Sequence, residues 1–270
     1  MPFPDVSDRS LAQLISLEGR SCVITGGAKG LGLAVSRRLV EAGAAVMIGD
    51  IDAVSAKGAA EELTRRYGSE VLAMALDVSD SSSVAALADA AAGAFGALDI
   101  WINNAGVYPS RPILEMSDGD WDRVLDINLR GAFFGCREGA RCMIKAGRGG
   151  VIVNMASIAG VGGRRPGVSH YVASKHGIVG LTKQLGLELA KDGIRVLAVA
   201  PTTIITPGVE VASAGPAAEA GVSIEQLLTG IMGRPGLPDD VARVVLFCAS
   251  DLSMFMTGST LLVDAGEMAR

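Results

Sequence analysis

Apolar residues in this chain gather in short unbroken runs set between longer amphipathic stretches. The runs at 21–25, 45–50, 71–76, 98–103, 151–155, 195–200 and 260–263 read as strands. They do not alternate polar with apolar, which is the pattern of strands covered on both faces. Helical periodicity fills the gaps, at 31–42, 53–67, 81–95, 118–146, 170–191 and 239–250. This alternation predicts an α/β protein: a single-domain Rossmann fold, its doubly wound seven-stranded parallel sheet carrying helices on both faces, with right-handed crossovers.

Residues 1–17 read as a short N-terminal extension, part-helical around Leu11 to Leu17, ahead of one catalytic domain over 18–270. The least regular stretch, 201–238, is rich in Thr, Gly, Pro and Ala, with a short helix near 223–228. Loops of that length are usually functional. It follows a strand's carboxyl end, where open α/β sheets bind ligands, so 202–237 reads as a substrate lid; a disordered surface insertion is the alternative.

Composition narrows the classes. The chain has 270 residues, 49% hydrophobic and 4% aromatic, with net charge −5, and is long enough to bury a large core. It lacks a basic stripe, which argues against nucleic acid or an anionic membrane as partner. No apolar run reaches the roughly 18 residues of a membrane span. Cys22, Cys136, Cys142 and Cys248 form neither a CxxC pair nor a Cys/His cluster, so no metal site is expected, and buried thiols in a cytoplasmic protein are.

Chemistry concentrates in two places. Gly26, Gly30 and Gly32 follow the first strand and open the first helix. Glycines there let the backbone approach a phosphate, and the helix N-terminus favours an anionic pyrophosphate. The spacing is not G-x-G-x-x-G, because Val35 stands where the third glycine would fall. Asp50 ends the second strand, placed to accept hydrogen bonds from a ribose and to repel a 2′-phosphate. At about 4 Å and an effective dielectric near 20, that repulsion is ~4 kcal/mol. Lys29 is the counter-signal, a cation able to reach a 2′-phosphate, whereas Ile51 stands where an arginine would have helped bind one. NAD is therefore expected over NADP. The other reading of Asp50 is a strand-end cap for Ala53.

Downstream, Tyr171 and Lys175 stand at i and i+4 and share a helix face. A free tyrosine, with pKa near 10, needs about 4 kcal/mol to become a base at neutral pH, and one close ammonium can supply roughly that. Ser157 follows the fifth strand, where its hydroxyl can hold a substrate oxygen beside Tyr171.

These elements, in this order, resemble the classical short-chain dehydrogenase/reductase family over about residues 18–266. Thr25-Gly26-x3-Gly30-x-Gly32 is similar to its cofactor loop, Asp77-Val78 to the pair lining the adenine, and Asn103-Asn104-Ala105-Gly106 to the motif at the fourth strand. Asn128 in Ile127-Asn128-Leu129, then Ser157 and Tyr171-x3-Lys175, match the catalytic set. The resemblance implies hydride transfer between an alcohol and a nicotinamide coenzyme, with Tyr171 as acid/base and Lys175 bonded to the nicotinamide ribose. It also implies a water held by Asn128 that links Lys175 to solvent. The coenzyme would be lined by Gly26, Lys29, Gly30, Leu31, Gly32, Asp50, Ile51, Asp77, Val78, Asn104, Ala105, Gly106, Tyr171, Lys175, Pro201, Thr202, Ile204 and Thr206. Two departures stand out. Pro201-Thr202 replaces the usual Pro-Gly after the sixth strand, so the nicotinamide-side loop is expected on a different path. Asp264-Ala265-Gly266 stands where two glycines are common.

Pocket walls are expected from Tyr108–Arg111, Ile158, Val161, Ile204, Ile205, Val209 and Met232, with few charges. They suit a small or cyclic, mainly apolar secondary alcohol or its ketone. An NADPH-dependent carbonyl reductase, a non-catalytic nucleotide-binding regulatory module, and an epimerase or dehydratase relative are the alternatives. His170 is expected in a structural or rim role, His176 packed on its helix, Arg164-Arg165 as a solvated loop pair, and Trp101 and Trp121 in core or interface. The resemblance implies a homotetramer built on the long helices, with Met268-Ala269-Arg270 able to reach a neighbouring subunit.

Overall fold

Seven parallel strands form one sheet among the described residues of a computed structural model, which are 3–210, 213 and 221–269. The strands are β1 (Ser21–Thr25), β2 (Ala45–Asp50), β3 (Val71–Ala75), β4 (Ile100–Asn103), β5 (Gly150–Met155), β6 (Ile194–Pro201) and β7 (Thr260–Val263), in the order β3-β2-β1-β4-β5-β6-β7. The order reverses between β1 and β4, which opens a crevice at their carboxyl ends. The third strand is one residue shorter than expected and the fourth starts two residues later. The sixth runs one residue further, through Pro201.

The helices are α1 (Leu11–Ile15), α2 (Gly30–Glu41), α3 (Ala53–Tyr67), α4 (Ser81–Phe95), α5 (Asp118–Leu125), α6 (Gly131–Ala146), α7 (Ser169–Leu189), α8 (Ile224–Leu227) and α9 (Pro238–Ala249). Alternate strand side chains enter opposite layers. Cys22, Ile24, Ile100 and Ile102 pack with Val35 and Leu39 of α2, Leu63 of α3 and Val245 of α9. Val23 and Trp101 pack on the other face with Leu87 of α4, Met143 of α6 and Leu185 of α7. Continuous apolar strands follow from burial on both sides.

A polar ladder crosses the second layer. The wholly buried Trp101 donates from Nε1 to Asn103 Oδ1 at 2.7 Å, and Asn103 donates to Asn154 Oδ1 at 2.8 Å. Asn154 in turn donates to Thr182 Oγ1 at 3.0 Å. This satisfies buried amides that would otherwise each cost about 1–3 kcal/mol. A side chain on Gly135 would meet Asn103 Oδ1 at 2.0 Å, so only glycine lets α6 lie this close.

The helix expected over 118–146 runs without a gap but changes its winding along the way. A π-helical turn, Asp126–Arg130, separates α5 from α6. No proline or run of glycines marks it, and its residues suit a helix, so periodicity alone does not reveal the widened turn. Leu17 is wholly buried, its N–H bonded to Ala42 O at 2.7 Å, and Arg9 ion-pairs with Asp251. In the segment expected to be a lid, 207–210 is helical, and α8 begins with a Ser223 capping box. Ile204 pairs with Gly236 as a bridge. Residues 211, 212 and 214–220 of that segment, like Arg270, lie outside the described residues.

Candidate active site

Thr25 ends β1 and turns its hydroxyl toward β4. Its Oγ1 accepts from the N–H groups of Asn104 (3.0 Å) and Ala105 (3.1 Å). Asn104 Nδ2 donates back to the carbonyls of Thr25 (3.0 Å) and Gly26 (2.9 Å). The loop is thereby built before any ligand arrives. Gly26 (φ 65°) and Gly30 (φ 54°) occupy the left-handed region, and a side chain on Gly32 would meet Gly26 O at 2.0 Å. Side chains cap α3, α4 and α5 at Asp52, Asp80 and Ser117, whereas the N-terminus of α2 at Lys29 has no side-chain cap. Thr206, at the start of the lid segment, lies 3.5 Å from where a Gly30 side chain would begin.

Asp50 faces this loop from the end of β2. Its Oδ2 accepts from Ala28 N–H and its Oδ1 from Asp52 N–H, each at 3.0 Å. It does not cap α3. That cap is Asp52, which accepts from Ser55 N–H at 3.0 Å. Lys29 Nζ is engaged by Asp52 Oδ2 at 2.7 Å. The Lys29 ammonium and the Ser55 groups hold the Asp52 carboxyl below the usual carboxylate range. Ile51 is exposed, Asp77 is exposed with its carboxylate on Ser79 N–H, and Val78 packs under Gly131. Gly106 sits against Asn128 Oδ1.

Ser157 leaves β5 and begins the one-turn 3₁₀ helix Ile158–Gly160. Its Oγ accepts from Ala159 N–H at 3.1 Å and donates to Pro201 O at 3.4 Å. That hydroxyl lies close enough to the Tyr171 phenol of α7 to favour its ionised form. Burial pushes that phenol above its ordinary value; Ser157 pulls it down, Tyr108 pushes it up and Arg164 pulls it down. Lys175, one turn further, is buried, with Nζ 5.7 Å from the centroid of the Tyr171 ring and donating to Met155 O at 2.6 Å. Burial pushes the Lys175 ammonium down to about 8. α7 reaches this depth because Gly160 leaves room for its backbone: a side chain there would meet Lys175 O at 2.7 Å.

Asn128 sits in the π-helical turn with 1% of its surface exposed. Its Oδ1 accepts from Val107 N–H at 2.8 Å, and its Nδ2 donates to Val107 O at 2.9 Å and Ser174 Oγ at 3.2 Å. Its side chain thus clamps the β4 loop to α7, beside Lys175 rather than on it.

Tyr108 approaches the helical start at Gly208, its hydroxyl 2.5 Å from where a Gly208 side chain would begin, while Ile158 and Ile204 are buried. Val161 and Met232 are exposed. Pro201 pairs with Val263 as the last register of β6 and β7, and Thr202 N–H donates to Val263 O at 3.1 Å. The Thr202 hydroxyl donates to Glu267 Oε2. Arg164 ion-pairs with Glu267 Oε1 and touches Met268 Sδ at 3.9 Å, so it is not half of a solvated pair; Arg165 is exposed and donates to Ser110. Met268 packs within its own chain, against Gly162.

His170 is wholly buried, accepting at Nδ1 from Tyr171 N–H at 2.9 Å. His176, expected to be packed, is exposed instead, because it lies on the solvent side of the helix whose inner face carries Ser174 and Lys175. Trp121 is half-exposed, at 39%. All four cysteines are buried, and burial pushes the Cys136 and Cys248 thiols up to about 12. Among the described residues there is no cluster of metal-ligating side chains, and no helix is long and apolar enough to cross a membrane.

Glu267, Asp52 and the Thr25 hydroxyl were not singled out by sequence. Asp52 carried a signal, an acidic residue just before a helix with Ser55 following. Glu267 carried none, since its partners are distant in the chain.

A family model described as Enoyl-(Acyl carrier protein) reductase matches residues 26–267. The chain is 37% identical over 256 residues to 3beta-hydroxysteroid dehydrogenase 2 of Eggerthella lenta, covering 94% of this chain and 96% of that one. It is 38% identical over 251 residues to 3-oxoacyl-[acyl-carrier-protein] reductase FabG of Thermotoga maritima, covering 93% and 98%. A solved short-chain type dehydrogenase/reductase from Mycobacterium marinum superposes with TM-score 0.89 at 32% identity, covering 97% of this chain and 100% of that chain.

Proposed function

The chain belongs to the classical short-chain dehydrogenase/reductase family, whose members are NAD(P)-dependent alcohol dehydrogenases and ketoreductases, and we propose that this one uses NAD to interconvert a cyclic or small, mainly apolar secondary alcohol and its ketone. One observation carries the reading. The Lys175 ammonium lies 5.7 Å from the centroid of the Tyr171 ring, and the Ser157 hydroxyl is near enough to that phenol to favour its ionised form, at the sheet edge that holds the glycine loop.

The residues present fit a dinucleotide. The uncapped N-terminus of α2 offers free N–H donors beside glycines that leave the approach open, as a pyrophosphate requires. Asp50 supplies a carboxylate for the adenosine ribose. Lys29, already paired with Asp52, has its charge answered within the chain, which supports NAD. When bound, the coenzyme supplies the acceptor or donor of a hydride at the substrate carbon.

The chain's own groups handle the proton. Ser157 holds the substrate oxygen against Tyr171 Oη, and Tyr171 takes the hydroxyl proton in oxidation or returns it in reduction. The Lys175 ammonium favours the phenolate electrostatically. Its depressed value, near 8, lets it exchange a proton near neutral pH. Asn128 positions α7 through Ser174.

The apolar Ile158, directly after Ser157 in the chain, supports an apolar alcohol, and the likeness to a hydroxysteroid dehydrogenase agrees with a cyclic one. The likeness to a FabG reductase favours a second reading, NADPH-dependent reduction of a ketone. The exposed Trp121 and Phe133 on α5 and α6 fit the two-fold pairing of a homotetramer, working in the cytoplasm. An absorbance screen for NADH and NADPH formation over cyclic, polyol and thioester-linked alcohols tests the reading. NADH formation from uncharged cyclic alcohols is expected. Preference for acyl thioesters or for NADP overturns the substrate or coenzyme assignment.

A further inference from the structure

Besides Lys175, one cation acts on the reacting phenol, and it is answered from the chain's own C-terminal segment. Arg164 follows Ser157 on the same loop and is close enough for its charge to act on Tyr171. Its guanidinium is held by Glu267 Oε1, and the other carboxylate oxygen of Glu267 accepts from Thr202. One carboxylate therefore spans the mouth from the Ser157 loop to the turn after β6.

The segment that carries Glu267 is fixed. Asp264 Oδ1 accepts from Gly266 N–H at 3.0 Å and its Oδ2 from Met268 N–H at 2.9 Å. Ala265 takes a left-handed φ of 51°, a conformation that costs a non-glycine residue roughly 1–2 kcal/mol and that the surrounding bonds hold. Met268 closes over Gly162 and Arg164. Next to Glu267 lies a cavity of about 250 Å³ between this segment and the lid, lined by Thr202, Ile231, Arg234, Asp264 and Glu267. Its arginine is also answered, Arg234 pairing with Asp240 at 2.6 Å.

We infer that Glu267 is a specificity-determining residue that neutralises Arg164 and closes the substrate mouth to anions, so that carboxylate-, phosphate- or coenzyme A-bearing alcohols are refused while uncharged ones enter. A substrate carboxylate must displace a tethered one that already makes two charge-assisted contacts, and it must also approach Asp264. Burial raises the Glu267 carboxyl, but Thr202 and Arg164 outweigh it and hold it below the usual range, so the charge is present at any working pH. The inference rests on the reading of this site as an alcohol dehydrogenase, and it names what that site excludes.

The test is a matched pair, 3-hydroxycyclohexanecarboxylate and its methyl ester, compared by kcat/KM and by calorimetric binding to the coenzyme-loaded enzyme. Wild type is expected to prefer the ester. Glu267→Gln frees Arg164 and should raise the carboxylate-to-ester ratio at least tenfold, about 1.4 kcal/mol. Arg164→Gln should lower it, and this opposite sign decides the matter if the first variant folds poorly. An unchanged ratio in both variants, or a wild type that already prefers the carboxylate, overturns the gate. Failure to oxidise any alcohol overturns the functional reading instead, and the calorimetric ratio still decides the gate.

Discussion

Asn128 and Val107 are joined through both edges of one side-chain amide, Oδ1 accepting from the Val107 N–H at 2.8 Å and Nδ2 donating to its carbonyl at 2.9 Å. A carboxylate cannot reproduce that exchange, because it accepts only. Asn128→Asp should leave the Val107 carbonyl and Ser174 without a donor and cost about 1–3 kcal/mol, read as a lower urea midpoint. A variant that unfolds at the wild-type midpoint would remove Asn128 as the tie between the β4 loop and α7.

The widened helical turn around Asn128 is not legible in the sequence. The seven strands and the helix layers on both faces were legible because the apolar runs are continuous and the intervening patterns helical. The glycine loop and the Tyr171–Lys175 pair were legible because their spacing is local. The π-helical turn was not, since widening a turn by one residue leaves composition unchanged. His176 was misplaced because one residue of helical phase separates it from the buried Lys175. The Arg164–Glu267–Thr202 link joins residues far apart in the chain, and no single-sequence pattern encodes such a contact.

Replacing Tyr171 by Phe removes the proton-carrying oxygen and keeps the ring beside Lys175. Turnover should fall by about 10²–10⁴-fold, the usual span of acid–base catalysis, while coenzyme binding, followed by fluorescence titration, persists. Wild-type turnover in this variant would end the mechanism.

Asp50→Ala removes the charge that repels a 2′-phosphate and also the acceptor for Ala28 and Asp52 N–H. The NAD-to-NADP ratio of kcat/KM should drop at least tenfold, about 1.4 kcal/mol, with KM for NAD rising as the loop loosens. Steady-state kinetics with both coenzymes checks this, and an unaltered ratio would place discrimination elsewhere.

Lys175 ties stability to pH. Burial lowers it to about 8 in the folded protein, against roughly 10.4 unfolded. Between those values the unfolded chain binds more protons, so stability rises with pH. Below about 8 the buried charge costs the coenzyme-free protein about 3 kcal/mol relative to high pH. Lys175→Met should flatten the rise in stability between pH 8 and 10, measured by urea titration of the coenzyme-free protein. An identical pH profile in wild type and variant would show that the ammonium is not desolvated as described.

The ladder from Trp101 to Thr182 gives the protein an internal optical gauge. One of its two indoles is sealed in the sheet and bonded at Nε1, while the other, at Trp121, meets solvent. Iodide should dim only the second. Loss of the blue-shifted component then marks the moment the sheet itself comes apart, separately from any loosening of α5.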